Sequence, residues 1–162
     1  MDEKSREEKP GRAYKLAFEY ESKYGCCPQC VVAAIEGVFN LKMDDVFKAG
    51  HSLAEGVGLS GNRTCGALSG GAMVLSYKYG RERKGFHLGR RMKSHVLTKK
   101  LYDRFVRSSV AVSVKMFRSR SWGDLSTSGM LVISRSSRRL VGIETSVLMS
   151  LGRLLNGFLK SS

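Results

Sequence analysis

Apolar residues in the first two thirds of the chain recur at helical spacing. Ala13, Leu16, Ala17 and Tyr20 stand at i, i+3, i+4 and i+7, and Gly25 follows as a stop, which predicts an amphipathic helix over 11–24. Residues 28–39 read as a second helix. Pro28 sits in its first turn, where a missing N–H costs nothing, and Val31, Val32, Ala34, Ile35 and Val38 make a broad apolar face. A third, shorter helix is predicted over 44–55 on Val46, Phe47 and Leu53. Thr64 reads as the cap of a fourth that runs to Tyr79 and ends at Gly80, with Leu68, Met73, Val74 and Tyr77 as core candidates. Ser94 caps a fifth through Phe105, built on Val96, Leu97, Leu101 and Phe105. No alternating strand pattern occurs before Val106. The predicted fold class is all-α, a small helical bundle of about five helices.

After Val106 the pattern breaks down. Runs such as VAVSVKMF and GMLVIS look strand-like, but the Ser/Arg-rich stretches between them lack turn chemistry and caps, and only 146–159 carries a helical face. Local signals that disagree in this way are those of a sequence not selected to fold. Composition breaks at the same place. Residues 1–106 hold 19 basic and 12 acidic residues, against 9 and 2 in 107–162, so each part contributes +7 to the net +14. Seven serines lie in the first part and fourteen in the second. The predicted organisation is a charged N-terminal extension at 1–11, a helical cysteine-containing domain at 12–106, and a basic, poorly structured tail at 107–162.

The 162 residues can bury a real core, and 42% hydrophobic content argues against wholesale disorder. No stretch is apolar enough to span a bilayer, and the N-terminus lacks the apolar region of a secretory signal, so the expected location is cytoplasmic. Four cysteines in such a setting point to redox-active or metal-binding thiols rather than structural disulfides.

Three of them are clustered. Cys27-Pro28-Gln29-Cys30 is a CxxC at a predicted helix start, preceded by Cys26, and Cys65 takes the same kind of position after Thr64. Unpartnered amides and the helix dipole favour a thiolate there, which predicts lowered thiol pKa values. The alternative is that these cysteines are small core residues. Beside Cys65, Gly66 and Gly70 lie four apart within a helix, where each glycine costs about 1 kcal/mol relative to Ala and needs a reason. Their bare face admits either another helix or a cofactor next to the thiol.

The segments YGCCPQCVVAAIEGVFN, GVGLSGNRTCGALSGGAMVLSYKYG and KLYDRF resemble the family of redox-active proteins named for its C_GCAxxG_C_C cysteine pattern, over residues 12–106. The resemblance implies a small α-helical protein whose cysteines serve redox or metal chemistry, with the first family cysteine at Cys27 and the central one at Cys65. Cys26 and Cys30 are extra to the pattern, and its two final cysteines are absent. A one-base slip near Val106 would account for that absence, the alternative being a genuine divergent basic tail. In the shifted frame, Ser113-Val114 and Ser146-Val147 can each read as cysteine, Met116-Phe117 must read Val, Trp122-Gly123 must read Gly, and the string ends in an amphipathic acidic helix.

Two readings of the thiols follow. In the redox reading Cys65 is the lead thiolate, Cys27 or Cys30 resolves the disulfide, and the protein is a thiol oxidoreductase with a redox partner. In the metal reading Cys26, Cys27, Cys30 and Cys65 hold an iron–sulfur cluster or zinc. A third class, a nucleic-acid-binding module, rests on the tail and on the loop 80–94, which has seven basic residues counting His87. A solvated interhelix loop explains those charges as well. Residues 56–61 spell GxGxxG, but a helix precedes them where a dinucleotide site needs a strand. His51, His87 and His95 share no ligand spacing and read as surface or capping residues. An apolar face left uncovered by the tail would drive self-association.

Overall fold

The computed structural model describes residues 3–60, 64–89, 91–108 and 151. Helices α1 (Glu3–Tyr24), α2 (Cys27–Phe39), α3 (Asp44–Gly50), α4 (Gly66–Tyr79) and α5 (Met92–Ser108) follow one another, with short 3-10 turns at His51–Leu53 and Arg83–Gly85. The architecture is all-α, as the spacing predicted, and no strand occurs among the described residues. None of the described helices is long and apolar enough to cross a membrane.

Helix α2 is the centre of the bundle. Its apolar face is too broad for one neighbour, and it packs between α1 and α4, while α5 covers the other side of α4 and α3 lies across α2 and α4. Val31, Val32, Ala34 and Ile35 are fully buried, together with Ala13 and Ala17 from α1, Ala67, Val74 and Leu75 from α4, and Leu101 and Phe105 from α5. A buried side chain of this size stabilises the fold by about 1.5–3 kcal/mol relative to an exposed one.

Several boundaries differ from expectation. Helix α1 starts at Glu3 rather than residue 11 and carries Pro10 within it, so the charged residues taken for an extension form its first turns, with Lys9 over the Phe39 ring. The third predicted helix breaks at Gly50, continues as one 3-10 turn, and becomes extended at Ala54. Cys65, not Thr64, is the N-cap of α4, and no side chain caps that end. Helix α5 begins at Met92, which places Ser94 inside the first turn, where it is buried. Phe47, Tyr77 and Val96, all predicted inward, are exposed. Tyr77 instead donates its hydroxyl to the Lys42 carbonyl at 2.7 Å.

The reading of 107–162 as an unpacked tail lies outside the described residues, apart from the end of α5 and Leu151. Leu151 is fully buried and belongs to the core cluster.

Candidate functional site

The site starts from the way α1 gives way to α2. Gly25 accepts the left-handed conformation (φ +65°) that ends α1, its N–H bonding back to Glu21 O at 3.0 Å, and Cys26 follows at φ +66°. Two left-handed residues in succession reverse the chain within a single step. Cys26 is the N-cap of α2, and its carbonyl accepts the N–H groups of Gln29 and Cys30. Cys27 and Pro28 begin the helix, and Cys30 lies one turn further in on the same side.

All four cysteines are thiols in this structure. Cys27 and Cys30 are 6% and 3% exposed, and both thiols meet acceptors. Cys27 Sγ donates to Glu21 Oε1 at 3.3 Å, and Cys30 Sγ donates to the Gly25 carbonyl at 2.9 Å. The Cys30 thiol also lies near enough to the Glu21 carboxyl to favour its ionised form. One carboxyl therefore neighbours both thiols of the CxxC.

Glu21 is mostly buried, and burial raises its pKa above the usual carboxylate range. Hydrogen bonds from Cys30 and Cys27 pull the other way, and the charge of Glu55 adds to the rise. Its second oxygen, Oε2, is sealed from solvent with no hydrogen-bond partner among the described residues.

Cys26 is less buried. Its Sγ lies 3.6 Å from the His51 carbonyl oxygen and 4.0 Å from His51 Nδ1, and that nitrogen is 3.1 Å from Gln29 Oε1. Burial raises the Cys26 pKa, the Gln29 backbone N–H opposes the rise, and the Glu21 charge reinforces it. The prediction that the helix start lowers this thiol's pKa is thus reversed. Desolvation disfavours the thiolate, and the negative charge of Glu21 disfavours it further.

A cleft of about 400 Å³ opens onto these groups. Glu21, Tyr24, Cys26 and Cys27 form one wall, and His51, Glu55 and Leu59 belong to the other. The second wall follows the 3-10 turn, where residues 55–59 all have positive φ, including Val57 at +71° and Leu59 at +58°. Bonds from Gly58 N to Ser52 O (2.7 Å) and from Ser60 Oγ to Gly56 O (2.6 Å) hold this left-handed run. The described part of the GxGxxG stretch, residues 56–60, thus follows a 3-10 turn rather than a strand.

The second predicted centre joins the first from behind. A β-carbon on Gly66 would stand 2.8 Å from Pro28 Cδ and 3.1 Å from Cys27 Cβ, and one on Gly70 would stand 2.8 Å from Pro28 O and 3.1 Å from Val31 Cβ. The bare glycine face is filled by the first turn of α2. This corrects the expectation of cofactor binding at Gly66 and Gly70, since close helix packing takes the space. It also brings the Cys27 and Cys65 helix starts together. Cys65 is 5% exposed, belongs to the core cluster and does not line the cleft.

Among the described residues, no group of three or more His, Cys, Asp or Glu side chains is placed to hold a metal ion. Cys26, Cys27, Cys30 and Cys65, expected as ligands of an iron–sulfur or zinc centre, are thus not gathered as such a group among the described residues. In the loop 80–94, Arg81 and Arg83 stack on Phe86, and Arg81 bonds the Gly89 carbonyl at 3.1 Å.

Sequence reasoning named the cysteines but missed Glu21, while His51, read as a surface or capping residue, is exposed at the edge of the cleft. A signal for Glu21 existed: it continues the stripe Ala13, Ala17 at i+4 spacing, so a carboxylate falls where the helix buries its small residues.

The site is thus a paired thiol beside a buried carboxyl within a small all-α bundle. The chain belongs to the family described as "Putative redox-active protein (C_GCAxxG_C_C)", whose model matches residues 25–122 and so takes in all four cysteines. No curated protein and no solved structure matches it.

Proposed function

We propose that this protein carries out thiol–disulfide chemistry at Cys27 and Cys30, with Cys27 as the attacking sulfur. The observation that carries the reading is the placement of Cys27. It is the CxxC thiol that lines the cleft, it stands at the start of α2, and its proton already points at a carboxylate oxygen. Cys30 lies deeper by one turn and is suited to resolve. The CxxC gives up two electrons and two protons, and a disulfide substrate entering the cleft leaves as two thiols. Cys65, assigned the lead role from sequence, is buried in the core and does not line the cleft, so in this reading it is not the attacking sulfur.

The test is oxidation of the reduced full chain with a small neutral disulfide, followed by intact mass and peptide mapping. The expected product has lost two hydrogens and carries a Cys27–Cys30 link. Modification confined to Cys26 or Cys65, with Cys27 and Cys30 still reduced, would overturn the proposal.

A further inference from the structure

Glu21 has no structural reason to be a carboxylate. Ala13 and Ala17, on the same stripe of α1, bury only hydrocarbon. A buried oxygen left without a partner costs about 1–3 kcal/mol, which an apolar residue would avoid, and Oε2 is such an oxygen. The other oxygen is in contact with the Cys27 thiol at 3.3 Å, and the carboxyl lines the same cleft as that sulfur.

We infer that Glu21 is a catalytic residue of this site, the base that takes the Cys27 proton as the sulfur attacks and the acid that supplies a proton to the departing thiolate. This rests on the thiol–disulfide reading above. The Cys27 S–H bond breaks and its proton passes to Glu21. The sulfur's electron pair forms a bond to one sulfur of a disulfide substrate, the substrate S–S bond breaks, and the leaving thiolate takes the proton back from Glu21. In the second half, Glu21 takes the Cys30 proton, Cys30 attacks Cys27 within the mixed disulfide, and the second substrate thiolate leaves with that proton. Two thiols depart, one Cys27–Cys30 bond remains, and Glu21 ends as it began. A base that serves both thiols in turn must reach both: Cys27 hydrogen-bonds this carboxyl, and Cys30 lies near enough to favour its ionised form.

The groups facing Glu21 decide its pH behaviour. Helix α2 presents Cys27 and Cys30, with Cys26 at its cap, and the opposite wall presents Glu55 and His51. Burial raises the pKa of Glu21 and brings its ionisation closer to neutral pH, which suits a group that must accept and return a proton.

The experiment measures the rate at which Cys27 reacts with 2,2′-dithiodipyridine across pH 4–9, read on the cysteine-bearing peptide by mass spectrometry. It uses the full chain and its Glu21→Gln and Glu21→Asp variants, with helicity checked by circular dichroism. In the wild type the rate rises as Glu21 ionises and then levels off. Glu21→Gln lowers the plateau by roughly 100-fold, the scale of a lost general base, and leaves a rate that climbs with pH as for an unassisted thiol. Glu21→Asp, which keeps the carboxylate but draws it back, recovers part of the rate and the levelling. A folded Glu21→Gln chain with the wild-type profile overturns the role of Glu21 alone, provided the wild type still forms the Cys27–Cys30 link. If the wild type forms no such link, the thiol–disulfide reading fails and this inference falls with it.

Discussion

Gly70 of α4 lies directly on Pro28 of α2, so that a β-carbon at residue 70 would come within 2.8 Å of the Pro28 carbonyl oxygen and 3.0 Å of its Cα. Backbone cannot yield as a flexible side chain would, and the first turn of α2 is the part that holds Cys27. Gly70→Ala gains up to about 1 kcal/mol in helix propensity but incurs an overpacking cost of roughly 1–3 kcal/mol. The expected net result is destabilisation, read as a lower midpoint in urea unfolding. Gly66→Ala meets the Pro28 ring and the Cys27 β-carbon instead, and should in addition change the rate at which Cys27 reacts.

The raised pKa of Glu21 makes a statement about stability. A carboxyl that holds its proton more tightly when folded than when unfolded stabilises the native state fully below the unfolded value, and that contribution is lost as pH rises through the folded value. Glu21→Gln removes this dependence. The melting temperature of the wild type should therefore fall relative to that of Glu21→Gln between pH 4 and neutrality, the variant being the more stable at pH 7. A constant difference across that range would count against a buried, proton-retaining Glu21.

Cys30→Ser leaves Cys27 able to attack but without its resolving sulfur. The variant should accumulate a mixed disulfide at Cys27 when given a small disulfide, visible as an added mass that dithiothreitol removes, whereas the wild type passes on to the internal link. Cys27→Ser should form neither product, since Cys30 is 3% exposed and does not line the cleft.

A reading of 107–162 as a shifted frame makes a forecast at the level of nucleotides. The codons for Ser113 and Ser146 must both end in T for the two cysteines of the alternative frame to exist. Sequencing the gene across codons 100–162 checks this, and any other third base at either position removes the corresponding cysteine. The burial of Leu151 within the core cluster bears on the chain as translated.

The helices were legible because burial in a bundle is periodic. Every residue placed on the apolar face of α2, from Val31 to Val38, is buried. Phe47, Tyr77 and Val96 went wrong for one physical reason: periodicity marks a face but does not show where the neighbouring helix ends. Thiol positions were equally plain, while their electrostatics were not. The helix-start rule considers the amides alone and cannot see that Glu21, on the preceding helix and six positions before Cys27, comes to rest against that thiol. The glycine pair marked a close approach, and only the packing told that α2 makes it.

The outer wall of the cleft is wound in the opposite hand to every helix around it. Of residues 55–59, three carry side chains that resist this winding, and such backbone strain costs on the order of 1–3 kcal/mol per residue. Val57, branched at its β-carbon, is the most ill-suited of them. The rim facing Cys27 is thus under tension, and a glycine at position 57 would slacken it.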